Sequence, residues 1–295
     1  MTIENRELIA ACWTWAGDAA PARGDERSPI DLRTRIETAA QQGWSGVGLV
    51  HADLVHARDT IGLGEVHQLL TDNGIGTVEF EFLTNWWSDG TDRAESDVLR
   101  RDFFDAAATL GAHTLKIGAH LDAFGSAPVP RSLFIDQLGL LADEAAGHGV
   151  RVALEPMPMS SIRTIADGVG VMQELGHPDA GLVVDVWHVA RSGTDYETLV
   201  DVLPLENIFV VELDDARETV VGTLWEDTIN ERLLPGDGEL RVAEFVAAIH
   251  RIGWRGRWGV EIISDAYRTL PLDEALASTR EKTLRAIDEA SLLGA

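Results

Sequence analysis

The residues able to do chemistry in this chain cluster by type and by place. Glu155, Asp185, Glu212 and Glu261 each stand at or near the end of a short apolar run, and Glu79 and Glu81 fall within another. Asp214 and Asp215 follow Glu212, while His51, Lys116 and His188 add nitrogen groups. Carboxylates gathered in a nonpolar setting repel one another and resist ionisation unless a cation neutralises them. All-oxygen ligation suits a hard divalent ion such as Mn2+, Mg2+ or Ca2+ better than a structural zinc. Any one of these acids alone would serve equally well as a helix cap or an arginine partner; four of them in succession make a divalent metal the economical reading.

Positioning such a set requires a scaffold that delivers several strand ends to one place. Short runs rich in Val, Ile, Leu or Phe, separated by longer stretches with helical spacing, predict eight strands: Leu8–Cys12, Ser45–Val50, Gly76–Phe82, His113–Gly118, Arg151–Glu155, Gly181–Asp185, Asn207–Glu212 and Arg257–Ile262. Gly43, Gly74, Gly111, Gly149, Gly176 and Gly253 stand where the intervening helices should stop. Spread over 295 residues, eight units come to about 37 residues each, enough for a strand, a helix and two loops. Alternating β and α with buried strands implies a parallel sheet with right-handed crossovers, and eight units can close into an α/β (β/α)8 TIM barrel. The competing doubly wound sheet would show a Gly-rich phosphate turn after the first strand, where Trp13-Thr14-Trp15-Ala16-Gly17-Asp18 stands instead. With no Pro-, Gly- or Ser-rich linker, residues 1–295 read as one domain. The site is then expected at the carboxyl ends of the strands.

Charge narrows the partners. Against 49 acidic residues stand 24 Lys and Arg, a net charge of −25 that opposes binding to a polyphosphate or an anionic leaflet. Nucleic acid and membrane are therefore not expected as partners. The single Cys12 cannot form an internal disulfide or a CxxC zinc site, and neither an apolar signal at the start nor an apolar run of about 18 residues is found. A soluble cytoplasmic protein is expected.

The ordered segments Leu154-Glu155-Pro156-Met157-Pro158, Val184-Asp185-Val186-Trp187-His188, Val211-Glu212-Leu213-Asp214-Asp215, Arg232-Leu233-Leu234-Pro235-Gly236 and Val260-Glu261 resemble the successive motifs of the xylose-isomerase-like TIM-barrel superfamily. The resemblance runs from the first strand to the eighth. It implies one divalent metal, Mn2+ foremost with Mg2+ or Co2+ as alternatives, held by Glu155, Asp185, the strand-seven residue Glu212, and Glu261. Members usually carry His, or Gln in dehydratase-like branches, where this chain has Glu212. Four carboxylates leave a formal charge of about −2 around a divalent ion, which calls for nearby cations or a proton.

The resemblance also gives His188 the part of a substrate-hydroxyl contact or proton shuttle, as its ordinary pKa allows; a loop histidine satisfied by a carbonyl is the alternative. It assigns proton transfer to Glu155 and Glu261, on strands far enough apart to approach opposite faces of a substrate. Lys116 and Arg232 are candidates for holding an oxyanion, or equally for neutralising surplus acid. His51, Trp15 and Trp187, with Trp13, Trp86 and Trp87, are candidate substrate contacts, with core packing as the alternative for the tryptophans. The turn Gly236-Asp237-Gly238 argues against a phosphate cradle because Asp237 repels an anion.

This constellation suits proton abstraction beside a carbonyl, with the developing enediolate stabilised by the metal. Returning the proton makes an isomerase or epimerase of a sugar or keto-polyol, the favoured expectation. Expelling a β-hydroxyl makes a dehydratase of a cyclic keto-acid or keto-inositol such as 3-dehydroshikimate, and the Arg-Leu-Leu-Pro-Gly segment and Glu212 lean that way. A barrel subunit without catalysis is a third reading, and a homo-oligomer is compatible with all of them. An endonuclease would need a basic groove and further histidine ligands, which the chain lacks.

Overall fold

The computed structural model describes residues 3–121 and 129–293. Eight parallel strands close into a barrel in sequence order. They are β1 (Leu8–Ala10), β2 (Gly46–Val50), β3 (Thr77–Leu83), β4 (Ala112–Ile117), β5 (Arg151–Leu154), β6 (Ala180–Asp185), β7 (Ile208–Leu213) and β8 (Trp258–Val260). Closure is made where Leu8, Ile9 and Ala10 register with Trp258, Gly259 and Val260. Strands β2, β6 and β7 are buried along their whole length, so they read as continuous apolar runs instead of alternating ones.

Around them lie α1 (Leu32–Gln41), α2 (His51–Thr60), α3 (Leu63–Asp72), α4 (Gly90–Leu110), α5 (Arg131–Gly147), α6 (Ile165–Leu175), α7 (Val186–Arg191), α8 (Tyr196–Val202), α9 (Leu224–Asn230), α10 (Val242–Ile252) and α11 (Leu272–Leu293). None of the helices among the described residues is long and apolar enough to cross a membrane. The six glycines expected to end helices all have positive φ. At two of them the reason is visible: Gly111 (φ 66°) and Gly176 (φ 64°) turn left-handed and donate their N–H to the carbonyls of Ala107 and Met172.

Each predicted strand is present, with ends displaced by at most two residues. The displacement that matters is at β5 and β8, which stop at Leu154 and Val260, one residue before Glu155 and Glu261. Both glutamates keep one link to the barrel through their N–H groups, donated to Ile117 O at 3.0 Å and Leu213 O at 3.2 Å. The chain then turns away, with each side chain left at the barrel mouth.

Candidate metal centre and active site

Four neighbouring strands supply the acids. Glu155 and Glu261 are the first residues beyond β5 and β8, Asp185 ends β6, and Glu212 is next to last in β7. One carboxylate oxygen from each lies within 4.8 Å of the others, and all four residues are buried; Glu155 and Asp185 form an overlapping group with His188. Asp185 also accepts the His188 N–H at 3.1 Å and thereby caps α7, so capping and site-building are here done by one residue.

Two buried cations hold this charge. Lys116 Nζ meets Glu212 Oε1 at 2.5 Å, Glu81 Oε2 at 3.2 Å and Glu79 Oε2 at 3.4 Å. Arg232 reaches Asp185 at 2.7 Å, Glu261 at 3.3 Å and Asp214, and donates to Thr228 Oγ1 on α9 at 3.0 Å. Room for the glutamates comes from glycine. A Cβ on Gly48 would stand 1.8 Å from Glu81 Oε1, and one on Gly259 would stand 2.9 Å from Glu212 Cγ. The part played by these glycines and by Glu79 and Glu81 under the site has no sequence signal beyond small and acidic residues in strands.

Two cations do not balance seven carboxylates. Burial, together with Glu261, Glu81 and Glu155 nearby, holds Glu212 well above the ordinary carboxylate range despite Lys116. Burial likewise pushes Glu261 up to about 8, reinforced by Glu155, Glu81 and Asp185 and opposed by Arg232. Asp214 is raised chiefly by burial as well. Asp185 is buried too, yet Arg232 and His188 outweigh that penalty and keep it below its usual value. Glu212 Oε2, Asp214 Oδ1 and His188 Nδ1 are buried with no hydrogen-bond partner. A surplus of convergent oxygen donors with an orphaned carboxylate oxygen among them fits a hard divalent cation, which would relieve both the repulsion and the missing bond. This buried acidic and histidine cluster supports a metal-dependent enzyme.

His188 faces the same space, its Nε2 3.3 Å from Glu155 Oε1 and 3.4 Å from Arg232 Nη2. It shares with Glu155, Glu261 and Arg232 a cavity of about 460 Å³ whose wall includes Trp13, Phe82, Met157, Met159, Trp225 and Ile263. His51 also lines it, with Nε2 2.8 Å from Asp102 Oδ2.

Several expected contacts are placed elsewhere. Trp15 and Trp187 do not reach the cavity wall: both are fully buried, Trp15 donating to Gly48 O at 2.8 Å and Trp187 to Asp227 Oδ2 at 3.1 Å. Each is a packing residue whose indole N–H found an internal acceptor. Trp86 and Trp87 are likewise buried away from it, Trp86 donating to Gly118 O at 2.8 Å, whereas Trp13 lines the wall as expected and Trp225 joins it. Trp13 was separable from Trp15 only by the path of the turn after β1, and Trp225 lies on α9, away from any strand end. Lys116 lies beneath the carboxylates and out of the cavity, so it neutralises acid, as does Arg232. Asp215, despite its place beside Asp214, is consumed by structure: it accepts the N–H groups of Ala216, Gly236 and Leu240, each at 2.9 Å. Those bonds close the Gly236–Gly238 turn from inside.

Comparison with known proteins agrees with this geometry. A family model described as xylose isomerase-like TIM barrel matches residues 36–286. A 3-dehydroshikimate dehydratase of Pseudomonas putida is 27% identical over 244 residues, 81% of this chain and 37% of that protein. An inosose isomerase of Halalkalibacterium halodurans is 25% identical over 157 residues, 52% of this chain and 54% of that protein. This chain thus spans little more than a third of the length of the dehydratase and about half that of the isomerase. Among solved structures, the IOLI protein with a binding zinc atom superposes with a TM-score of 0.80 at 18% identity, over 96% of this chain and 99% of that one.

Proposed function

Because the chain belongs to the xylose isomerase-like TIM barrel family, we propose that it is a metal-dependent dehydratase, removing water across the α and β carbons of a cyclic polyhydroxy ketone. Glu155, Asp185, Glu212 and Glu261 are the proposed ligands, and Mn2+ the proposed ion. A divalent ion held there supplies Lewis-acid polarisation of the substrate carbonyl. The observation carrying the reading is the contact of His188 Nε2 with Glu155 Oε1 at 3.3 Å, on a cavity wall that Glu261 shares.

Glu261 takes the proton from the carbon beside the carbonyl, and the freed electron pair forms the new carbon–carbon double bond as the β C–O bond breaks. His188 delivers a proton to the departing hydroxyl, which leaves as water, and the adjoining carboxylate of Glu155 holds the imidazolium in place. Arg232 fixes Asp185 and Glu261 against each other, and Lys116 fixes Glu212, so the acids enter the reaction with little freedom to reorganise. The likeness to the Pseudomonas dehydratase across 81% of the chain supports the same reading.

One observation favours a second reading. Glu155 and Glu261 both line the cavity, from β5 and β8, as a two-sided isomerase or epimerase would need. A panel of ketoses and inososes, each with and without an O-phenyl substituent, and 3-dehydroshikimate, incubated with Mn2+ in D2O and followed by NMR and ultraviolet absorbance, separates the two. Dehydration gives a stoichiometric conjugated enone or aromatic product. An isomeric product carrying solvent deuterium, with no chromophore, overturns the dehydratase in favour of the isomerase.

A further inference from the structure

The cavity above the carboxylates is built unlike the floor. Trp13 lies on the turn after β1, Met157 and Met159 on the loop after β5, Trp225 and Ile229 on α9, and Ile263 just past Glu261; all six line the wall. The space, about 460 Å³, is more than one six-membered ring with its hydroxyls fills. The volume falls within the range of about 300–1,000 Å³ typical of sites for larger organic ligands, which are also walled by apolar and aromatic groups. A bare polyol would leave two indoles, two thioethers and two isoleucines facing water, with hydroxyls unable to bond to them.

Charge limits the occupant from the other side. Asp25, Glu26, Glu81, Glu155 and Glu261 line the cavity. Among the described wall residues the positively chargeable groups are Arg232, His51 and His188, and no lysine joins them. Arg232 is shared among three carboxylates, His51 lies against Asp102, and His188 against Glu155. Away from the proposed ion, a phosphate or carboxylate on the substrate would meet acid on several sides with no side-chain cation released to receive it.

We propose that the substrate is an uncharged, amphiphilic molecule, a polyhydroxylated ring carrying an apolar and preferably planar substituent, with the ring over the carboxylates and the substituent held by Trp13, Trp225, Ile229 and the two methionines. This distinguishes the chain from its relatives named for 3-dehydroshikimate, which is an anion. The inference rests on the proposed function only for the ring; the substituent subsite follows from the wall.

Calorimetric titration tests it without turnover. Protein loaded with Mg2+ is titrated with phenyl β-D-glucopyranoside, methyl β-D-glucopyranoside, phenyl 6-phospho-β-D-glucopyranoside and phenyl β-D-glucuronide. The phenyl glucoside should bind at least tenfold more tightly than the methyl glucoside and than either charged phenyl probe. Trp225→Ala and Ile229→Ser should each reduce the phenyl advantage severalfold while Mg2+ affinity, measured in the same cell, stays at the parental value. Equal affinity of phenyl and methyl probes, absence of binding by both, or preference for a charged probe overturns the proposal. A phenyl preference together with an isomeric, deuterated product in the turnover assay would keep this inference and discard the dehydratase.

Discussion

Two places in this barrel bury charge, and they do so differently. On the outside of β2, Arg35 of α1 meets Asp53 of α2 at 2.5 Å, one cation to one anion. Asp53 also accepts Ser28 N–H at 2.9 Å, Arg35 Nε donates to Trp15 O at 3.0 Å, and the guanidinium lies 4.0 Å over the Trp15 ring, with Nη2 as its one nitrogen lacking a partner. Within and beyond the strand ends, Glu79, Glu81, Glu155, Asp185, Glu212, Asp214 and Glu261 face two fixed cations among the described residues, Lys116 and Arg232, with His188 against Glu155. The first arrangement is close to neutral and fixes two helices. The second is acidic by construction and stays strained until a further cation arrives, which makes it a site instead of a strut.

The contrast predicts where mutation is felt. The largest effect belongs to the unbalanced cluster: Glu155→Gln and Glu261→Gln should each lower turnover by about 10²–10⁴-fold, the second by losing the base and the first by leaving the acid His188 without its carboxylate. Circular dichroism should meanwhile find the fold intact, since each change removes an excess charge. Near-parental turnover in either variant would strip that residue of its proposed role.

The balanced pair should behave in the opposite way. Arg35→Met leaves Asp53 buried without its cation and should cost about 3–5 kcal/mol of stability in urea unfolding, with turnover per folded molecule unchanged. Arg35→Met combined with Asp53→Leu should regain most of that loss, because two apolar groups replace a desolvated pair. A single variant as stable as the parent would mean that Arg35 and Asp53 are solvated and the contrast is false.

Much of this was legible in the residues, and what was not has physical causes. Periodicity and glycine punctuation locate all eight strands because a buried parallel strand is apolar on both faces and a helix needs a left-handed stop. Glu155, Asp185, Glu212 and Glu261 converge because barrel closure brings neighbouring strand ends together. Side-chain direction was the hidden variable. Trp13 and Trp15 are two residues apart, yet one lines the cavity and the other lies under Arg35. Asp214 and Asp215 are adjacent, yet one joins Arg232 and the other ties down a loop. Sequence leaves Lys116 open between substrate and surplus acid because its three glutamate partners come from β3 and β7, separated from it by up to 96 residues.

A smaller effect tests the imbalance directly, through metal and pH together. An ion that binds only the folded protein, present at a hundred times its Kd, should add about 2.7 kcal/mol to stability. Thermal unfolding of chelator-treated protein, with and without Mn2+, measures that gain, and Glu261→Gln should remove most of it. The metal-free protein should also carry a pH signature. Glu261 titrates near 4.5 when exposed and near 8 in the fold, so between those values the native state holds a proton that the unfolded chain has released. Stability then falls as pH rises through that window and levels off above it. Asp185, held below its usual value, acts in the opposite sense and at lower pH, where stability is lost as pH falls. The remaining excess of negative charge also weakens the fold as pH rises, so the quantity to compare is the slope of parent against Glu261→Gln between pH 5 and 8. The variant should be flatter, because an amide has no proton to lose, and saturating Mn2+ should flatten the parent likewise by keeping the carboxylate ionised throughout. Parallel slopes for parent and variant would show that Glu261 is solvated and that the strand-end cluster is no more strained than the Arg35–Asp53 pair.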